Sequence, residues 1–216
     1  MRVKRSTNKL LVLLLLFCKI QFCFMVGTTR RAFSWQMPRC GLGVFLFRPR
    51  WGISSFGRFA GLGTLHPDIQ RFPIDADRVH RIYEACEGRL PILMHTGDHR
   101  FDFSNPSRMK PILDRYKDLT VIGAHFGGWS VWDEAERMLT GYENFYVDCS
   151  SSLYAMSPER AGALIRAFGT DRVLFGTDYP MWDIEADLAR FMRIDLTDTA
   201  RRAILSENAA RLFGIK

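Results

Sequence analysis

From residue 61 onward, short apolar runs that each end in a polar side chain alternate with stretches of helical periodicity. The runs are Leu62–His66, Leu90–His95, Leu119–His125, Asn144–Asp148 and Arg172–Asp178. Their last residues follow one another at intervals of 29, 30, 23 and 30 positions, about the length of one strand–helix unit. Runs this short, separated by helices, predict parallel strands buried on both faces.

The intervening stretches carry the expected punctuation. Val79, Ile82, Tyr83 and Cys86 recur at i, i+3, i+4 and i+7 and predict one buried helix face. His80, Arg81, Glu84 and Glu87 fall on the opposite face, where His80 is expected in solvent. Pro106 after Ser104 and Asn105 predicts a second helix, with Met109, Ile112, Leu113 and Tyr116 facing inward. Ser130 with Asp133 resembles a capping box, and Gly141 ends that helix. Ser157-Pro158-Glu159 opens the next, which stops at Gly169, and Asp183 opens another. Two short helices, Thr197–Leu205 and Ser206–Phe213, are expected to close the pattern.

Five strand–helix units predict an α/β chain whose fold is an incomplete (β/α) barrel of the TIM type, about five units of the eight. A closed barrel uses roughly 250 residues, and the chain has 216. Residues 1–60 offer no comparable pattern, which divides the chain into 1–60 and 61–216. An incomplete barrel has bare strand edges, so a homo-oligomer that covers them is the expected partner.

Charge sharpens this division. Residues 1–60 hold eleven Lys or Arg and no acidic residue, while the remainder holds 19 basic and 23 acidic residues. The overall excess of +7 therefore belongs to the first segment, and the folded unit lacks the basic surface that nucleic-acid binding requires. Arg2, Lys4, Arg5 and Lys9 precede the apolar run Leu10–Cys18. A secretory signal or short anchor, an organellar transit peptide, and sequence unrelated to the domain all fit this segment. The domain itself is expected in the cytoplasm; a membrane-anchored, exported or organellar protein is the alternative if the segment acts as a signal. The five cysteines form no C-x-x-C pair, which leaves Cys86 and Cys149 as buried, reduced core residues.

In a β/α barrel the strand ends line one mouth, and chemistry gathers there. His66, His95, His125 and Asp178 each end a run. Imidazole and carboxylate at equivalent strand ends are ligands for zinc or a similar divalent ion, and a nearby Asp or His can take a proton from water. His66 either lines the mouth or caps a turn, and His99 falls in a loop. Asp98, Arg100 and Asp102 bind a polar substrate or pair among themselves. Gly127 and Gly128 let the backbone pass close to the mouth, with Trp129 packed over it. Asp148 with Ser150 and Ser151 either supports the site by hydrogen bonds or caps a strand.

At these residues the chain resembles the amidohydrolase superfamily, in the branch that includes aminocarboxymuconate-semialdehyde decarboxylase relatives. The motifs are Leu93-Met94-His95-Thr96-Gly97-Asp98, Gly123-Ala124-His125-Phe126-Gly127-Gly128-Trp129, Phe175-Gly176-Thr177-Asp178-Tyr179-Pro180 and Glu207-Asn208-Ala209-Ala210-Arg211-Leu212-Phe213-Gly214. The resemblance implies that His95 and Asp178 bind a divalent metal, zinc by preference. It implies that His125 and Asp178 handle protons; His66 and Trp129, from their place at the mouth, are the residues expected to face a small-molecule substrate. His66-Pro67-Asp68 resembles the end of the family's fourth strand. The family's first-strand His-x-His is not found in the sequence. The implied activity is hydrolysis of a C–N or ester-like bond by metal-activated water. A metal-dependent decarboxylase and a catalytically inactive fragment are the alternatives.

Overall fold

The computed structural model describes residues 34–36, 43–47 and 61–214, and side chains from Leu65 onward. The expectations for Leu10–Cys18 and the rest of the basic segment lie outside the described residues, apart from two strands. Those strands, β1 (Ser34–Gln36) and β2 (Gly43–Phe47), lie within residues 1–60, where the sequence offers no strand–helix repeat. They pair antiparallel with each other, and β2 pairs antiparallel with β3 (Gly61–Leu65).

From β3 the sheet is parallel, continuing through β4 (Ile92–Met94), β5 (Val121–Gly123), β6 (Phe145–Asp148) and β7 (Val173–Leu174). The spatial order is the sequence order, β1 to β7. Between the parallel strands lie α1 (Pro67–Gln70) with α2 (Asp77–Cys86), then α3 (Pro106–Arg115), α4 (Trp132–Leu139) and α5 (Pro158–Phe168). Helix α6 (Ile184–Met192) follows β7. This is an incomplete (β/α) barrel. Among the described residues no helix is long and apolar enough to cross a membrane.

Strands β4 to β7 are buried on both faces, as the continuous apolar runs require. Ile92, Met94, Val121, Phe145, Val147 and Val173 join the main core with the helices. Leu93, Ile122 and Leu174 point the other way and form a second cluster with Ala124 and Ala209. Ala210, Leu212 and Phe213 pack onto that second cluster from the C-terminal helix.

Several strands are shorter than their apolar runs. His125 and Asp178 have φ of 61° and 60°, and a left-handed residue turns the chain out of the extended ladder. Local capping matches the sequence at Asn105, Ser157 and Asp183, whose side chains accept from the backbone N–H of Ser107, Arg160 and Ala186. Ser130 does not cap α4. Val131 holds the cap position without a side-chain bond, and the Ser130 hydroxyl instead meets His99. His80 is likewise not a solvent residue, because its Nδ1 lies 2.8 Å from the Tyr116 hydroxyl. Cys86 and Cys149 are buried and free.

The two expected terminal helices are one continuous helical stretch. Helix α7 (Asp198–Arg202) runs through a π-turn at Ala203–Glu207 into α8 (Asn208–Leu212). The turn serves the sheet: Phe175 N–H donates to Ile204 O at 3.0 Å. Buried Asn208 donates through Nδ2 to Val173 O and Thr170 O, both at 2.8 Å. The far edge of β7 is thus occupied by the helix rather than by another strand.

Candidate metal centre

The site collects at the carboxyl ends of β3, β4, β5 and β6. His66 follows β3 directly and is the N-cap of α1, with a long 3.4 Å contact from Ile69 N–H to its Nδ1. Asp68 lies in the first turn of that helix, and Pro67 between them suits the first helical position. His95 follows β4, held by its backbone N–H on Leu65 O at 2.9 Å. Its ring stacks on His66, with centroids 3.9 Å apart and planes 10° apart.

His66, Asp68 and His95 each offer one ligand atom, and these atoms lie within 4.8 Å of one another. No other group of three such residues is so arranged among the described residues. His95 Nε2 stands 3.4 Å from Asp68 Oδ2, yet it makes no hydrogen bond. Asp68 Oδ1 is also buried without a hydrogen-bond partner, while Oδ2 accepts from the Ser104 hydroxyl at 2.5 Å. A buried imidazole nitrogen and a buried carboxylate face each other without a hydrogen bond between them, an arrangement that a cation stabilises.

The protonation state suits ligation. Burial pushes His95 well below the ordinary imidazole range, with His125 and His66 adding to the shift. Burial also takes His66 down to about 4, again helped by His125. Both rings are therefore neutral near pH 7, the form that binds metal. Burial raises the Asp68 carboxyl, against the hydrogen bond from Ser104, so proton and cation compete for it.

His125 extends the cluster. Its Nε2 lies 3.1 Å from His95 Nδ1, and its Nδ1 lies 3.0 Å from both Ser150 O and Ser150 Oγ. Behind it stands Asp148, fully buried at the end of β6. Asp178 sits apart from the His66–Asp68–His95 group. Its Oδ2 accepts from the Ser151 hydroxyl at 2.6 Å, and Trp182 Nε1 donates to that same Ser151 oxygen at 2.8 Å. Tyr154, 40 % exposed, stacks on Trp182 at 4.1 Å.

On the other side of the mouth, Asp98 and Arg100 pair through two bonds of 2.9 and 2.7 Å, and Asp102 pairs with Arg108 at 2.5 Å. Burial would raise Asp98, but the Arg100 bonds hold its carboxyl below the ordinary value. The Arg100 guanidinium lies 5.4 Å from the Trp129 ring centre and 5.5 Å from that of Phe101. Trp129 is held by its N–H on Thr96 O at 2.7 Å. Gly97 and Gly128 let these loops touch: a Cβ on Gly97 would lie 2.5 Å from Gly128 Cα.

Residues 57–215 match the family model described as amidohydrolase, well over half of the chain. The chain belongs to the amidohydrolase family. None of the curated proteins compared matches it. Among solved structures, an uncharacterised TIM-barrel protein from Bordetella bronchiseptica is 30 % identical, with a TM-score of 0.58. That match covers 66 % of this chain and 52 % of the other. A dihydroxybenzoic acid decarboxylase from Polaromonas sp. JS666, with bound manganese, is 18 % identical at TM-score 0.52, covering 66 % and 55 %. An amidohydrolase from Burkholderia multivorans, with bound zinc, is 16 % identical at TM-score 0.55, covering 66 % and 59 %. The chain thus spans between half and three-fifths of the length of these solved relatives, and the last two show the fold alone.

Asp68, Ser104 and Trp182 are the members of the site that sequence reasoning passed over. Asp68 had a signal, the His-Pro-Asp triplet at a strand end. The other two reach the site through contacts that no local pattern encodes.

Proposed function

We propose that His66, Asp68 and His95 hold a divalent cation, zinc by preference, and that this family member is a metal-dependent hydrolase of a C–N or ester-like bond. The observation that carries the proposal is the buried, unbridged approach of His95 Nε2 to Asp68 Oδ2. A bound divalent ion supplies Lewis acidity, polarising the scissile group and acidifying water.

The chain's own residues do the rest. Asp68 and the two neutral imidazoles supply the donor atoms, oxygen and nitrogen, which suit zinc or manganese. Ser151 and Trp182 hold the Asp178 carboxylate at the end of β7, where it accepts the proton released by the attacking water. His125, reached from His95 by a 3.1 Å contact, is the second proton-handling group. Trp129 and the Arg100 side chain border the mouth and meet a small-molecule substrate.

The test is the metal content of purified protein by elemental analysis, beside Asp68→Asn, His95→Ala and Asp178→Asn. The expected result is one equivalent of metal in the wild type, lost in the first two variants and retained in the third. A wild type without metal would sink the proposal. Products from a panel of amides, esters and aromatic carboxylic acids then decide the reaction: released amine or acid supports the hydrolase, and released carbon dioxide reassigns the chain to the carboxy-lyases.

A further inference from the structure

We infer that Asp148 and Ser150 are positioning residues that fix which nitrogen of His125 carries hydrogen, and through it which nitrogen of His95 is offered to a cation. The inference deepens the metal reading above and rests on it for its binding consequence, though not for its structural content.

The chain of contacts begins at Asp148, with no exposed surface. Its Oδ1 accepts from three donors: His125 N–H at 3.1 Å, Ser150 N–H at 3.0 Å and the Ser150 hydroxyl at 2.5 Å. These bonds pin both ends of the segment that faces the His125 ring. Ser152 adds a fourth restraint, donating its hydroxyl to Ser150 O at 2.9 Å.

Ser150 O lies 3.0 Å from His125 Nδ1. A carbonyl oxygen cannot donate, so Nδ1 must carry the hydrogen in this contact. Ser150 Oγ, with its own hydrogen directed to Asp148, accepts from the same Nδ1. In neutral His125 the lone pair is then at Nε2, which faces His95 Nδ1 at 3.1 Å. Two lone pairs cannot face each other at that distance without cost, so His95 carries its hydrogen on Nδ1. Its lone pair is therefore on Nε2, the atom that faces Asp68 Oδ2.

A carboxylate and a backbone carbonyl that reach the ligands only through the His125 ring thus decide the donor atom of His95. Partners of this kind commonly change metal affinity ten- to a hundredfold when removed. The backbone also shows how firmly the arrangement is held: His125 and Phe126 both take left-handed conformations, with φ of 61° and 54°. Non-glycine residues persist there only where their surroundings over-determine them.

The experiment uses the full chain with ¹⁵N-labelled histidine, first without added metal. Long-range ¹H–¹⁵N correlation should show His125 protonated at Nδ1 and unprotonated at Nε2. His125 protonated at Nε2, or at both nitrogens, overturns the inference. Zinc titrations by calorimetry follow, on wild type, Ser150→Ala, Ser150→Thr and Asp148→Asn. Asp148→Asn should bind zinc about tenfold or more weakly, with loss of the single His125 tautomer, whereas Ser150→Ala and Ser150→Thr, which both keep the backbone carbonyl, should retain that tautomer. Urea denaturation of each variant separates this from general damage, since a purely structural role moves stability and leaves the tautomer unchanged. If Asp148→Asn does not fold, Ser150→Ala carries the test, since loss of the Nδ1-protonated tautomer there would overturn the role given to the backbone carbonyl. Wild type that binds no zinc ends the metal reading while the tautomer measurement still decides this inference.

Discussion

At the scale of single residues, burial has opposite uses in this chain. Around the site it keeps His66 and His95 neutral, and in the core it keeps the thiols protonated. Burial pushes the Cys86 thiol from 9.0 up to about 11, and Cys149 higher still. A raised pKa means that the fold favours the protonated thiol. Its contribution is therefore complete below pH 9 and is lost as pH rises through about 11, worth roughly 2–3 kcal/mol. Urea melts of wild type and Cys86→Val should diverge by that amount between pH 8.5 and 11, the wild type losing more; parallel curves would refute the assignment. His95, His125 and Asp178 were legible because each ends an apolar run, where period and polarity change together. Asp68 was less so, because it sits three residues beyond the strand, inside the first turn of a helix. His80 misled for a related reason, since its partner Tyr116 belongs to the next helix.

At the scale of elements, the starts of helices were legible wherever a cap acts on its own turn. Asn105, Ser157 and Asp183 all bond to backbone two or three residues ahead. Ser130 fails the same test because its hydroxyl meets His99, 31 positions earlier, and a distant partner leaves no periodic trace. The C-terminal helix shows a further limit. Its Glu-Asn-Ala-Ala motif marks the family, but the work of Asn208 emerges only in three dimensions. Replacing Asn208 with alanine would strip Val173 O and Thr170 O of their side-chain donor at a buried sheet edge. The expected cost is about 1–3 kcal/mol, read as a shift of the urea midpoint, with faster aggregation followed by light scattering. An Asn208→Ala variant that melts and scatters like wild type would show that the edge needs no such cover.

At the scale of the whole molecule, the count of parallel strands followed from the repeat, whereas their surroundings did not. The sheet gains β1 and β2 on one side, which the apolar runs did not predict, and on the other the helices expected over residues 197–213, whose place against β7 the pattern did not show. A cation that binds only the folded chain should stabilise the assembly as a unit. At a zinc concentration of a hundred times the dissociation constant, the gain is about 2.7 kcal/mol. For a chain of this size that raises the melting temperature by roughly 5–10 °C. The shift should vanish with EDTA and be absent in Asp68→Asn; an unchanged wild-type melting temperature at saturating zinc would count against a site in the fold.

The cover over β7 also bears on how the chain is made. Residues 173 and 174 are synthesised 34–35 positions before Asn208, and at about 5–20 residues per second the delay lasts roughly 2–7 s. Until Asn208 is made, nothing in the chain can supply the side-chain donor that Val173 O and Thr170 O receive in the finished fold. Expression at lower temperature slows synthesis as well as folding, so it lengthens this interval.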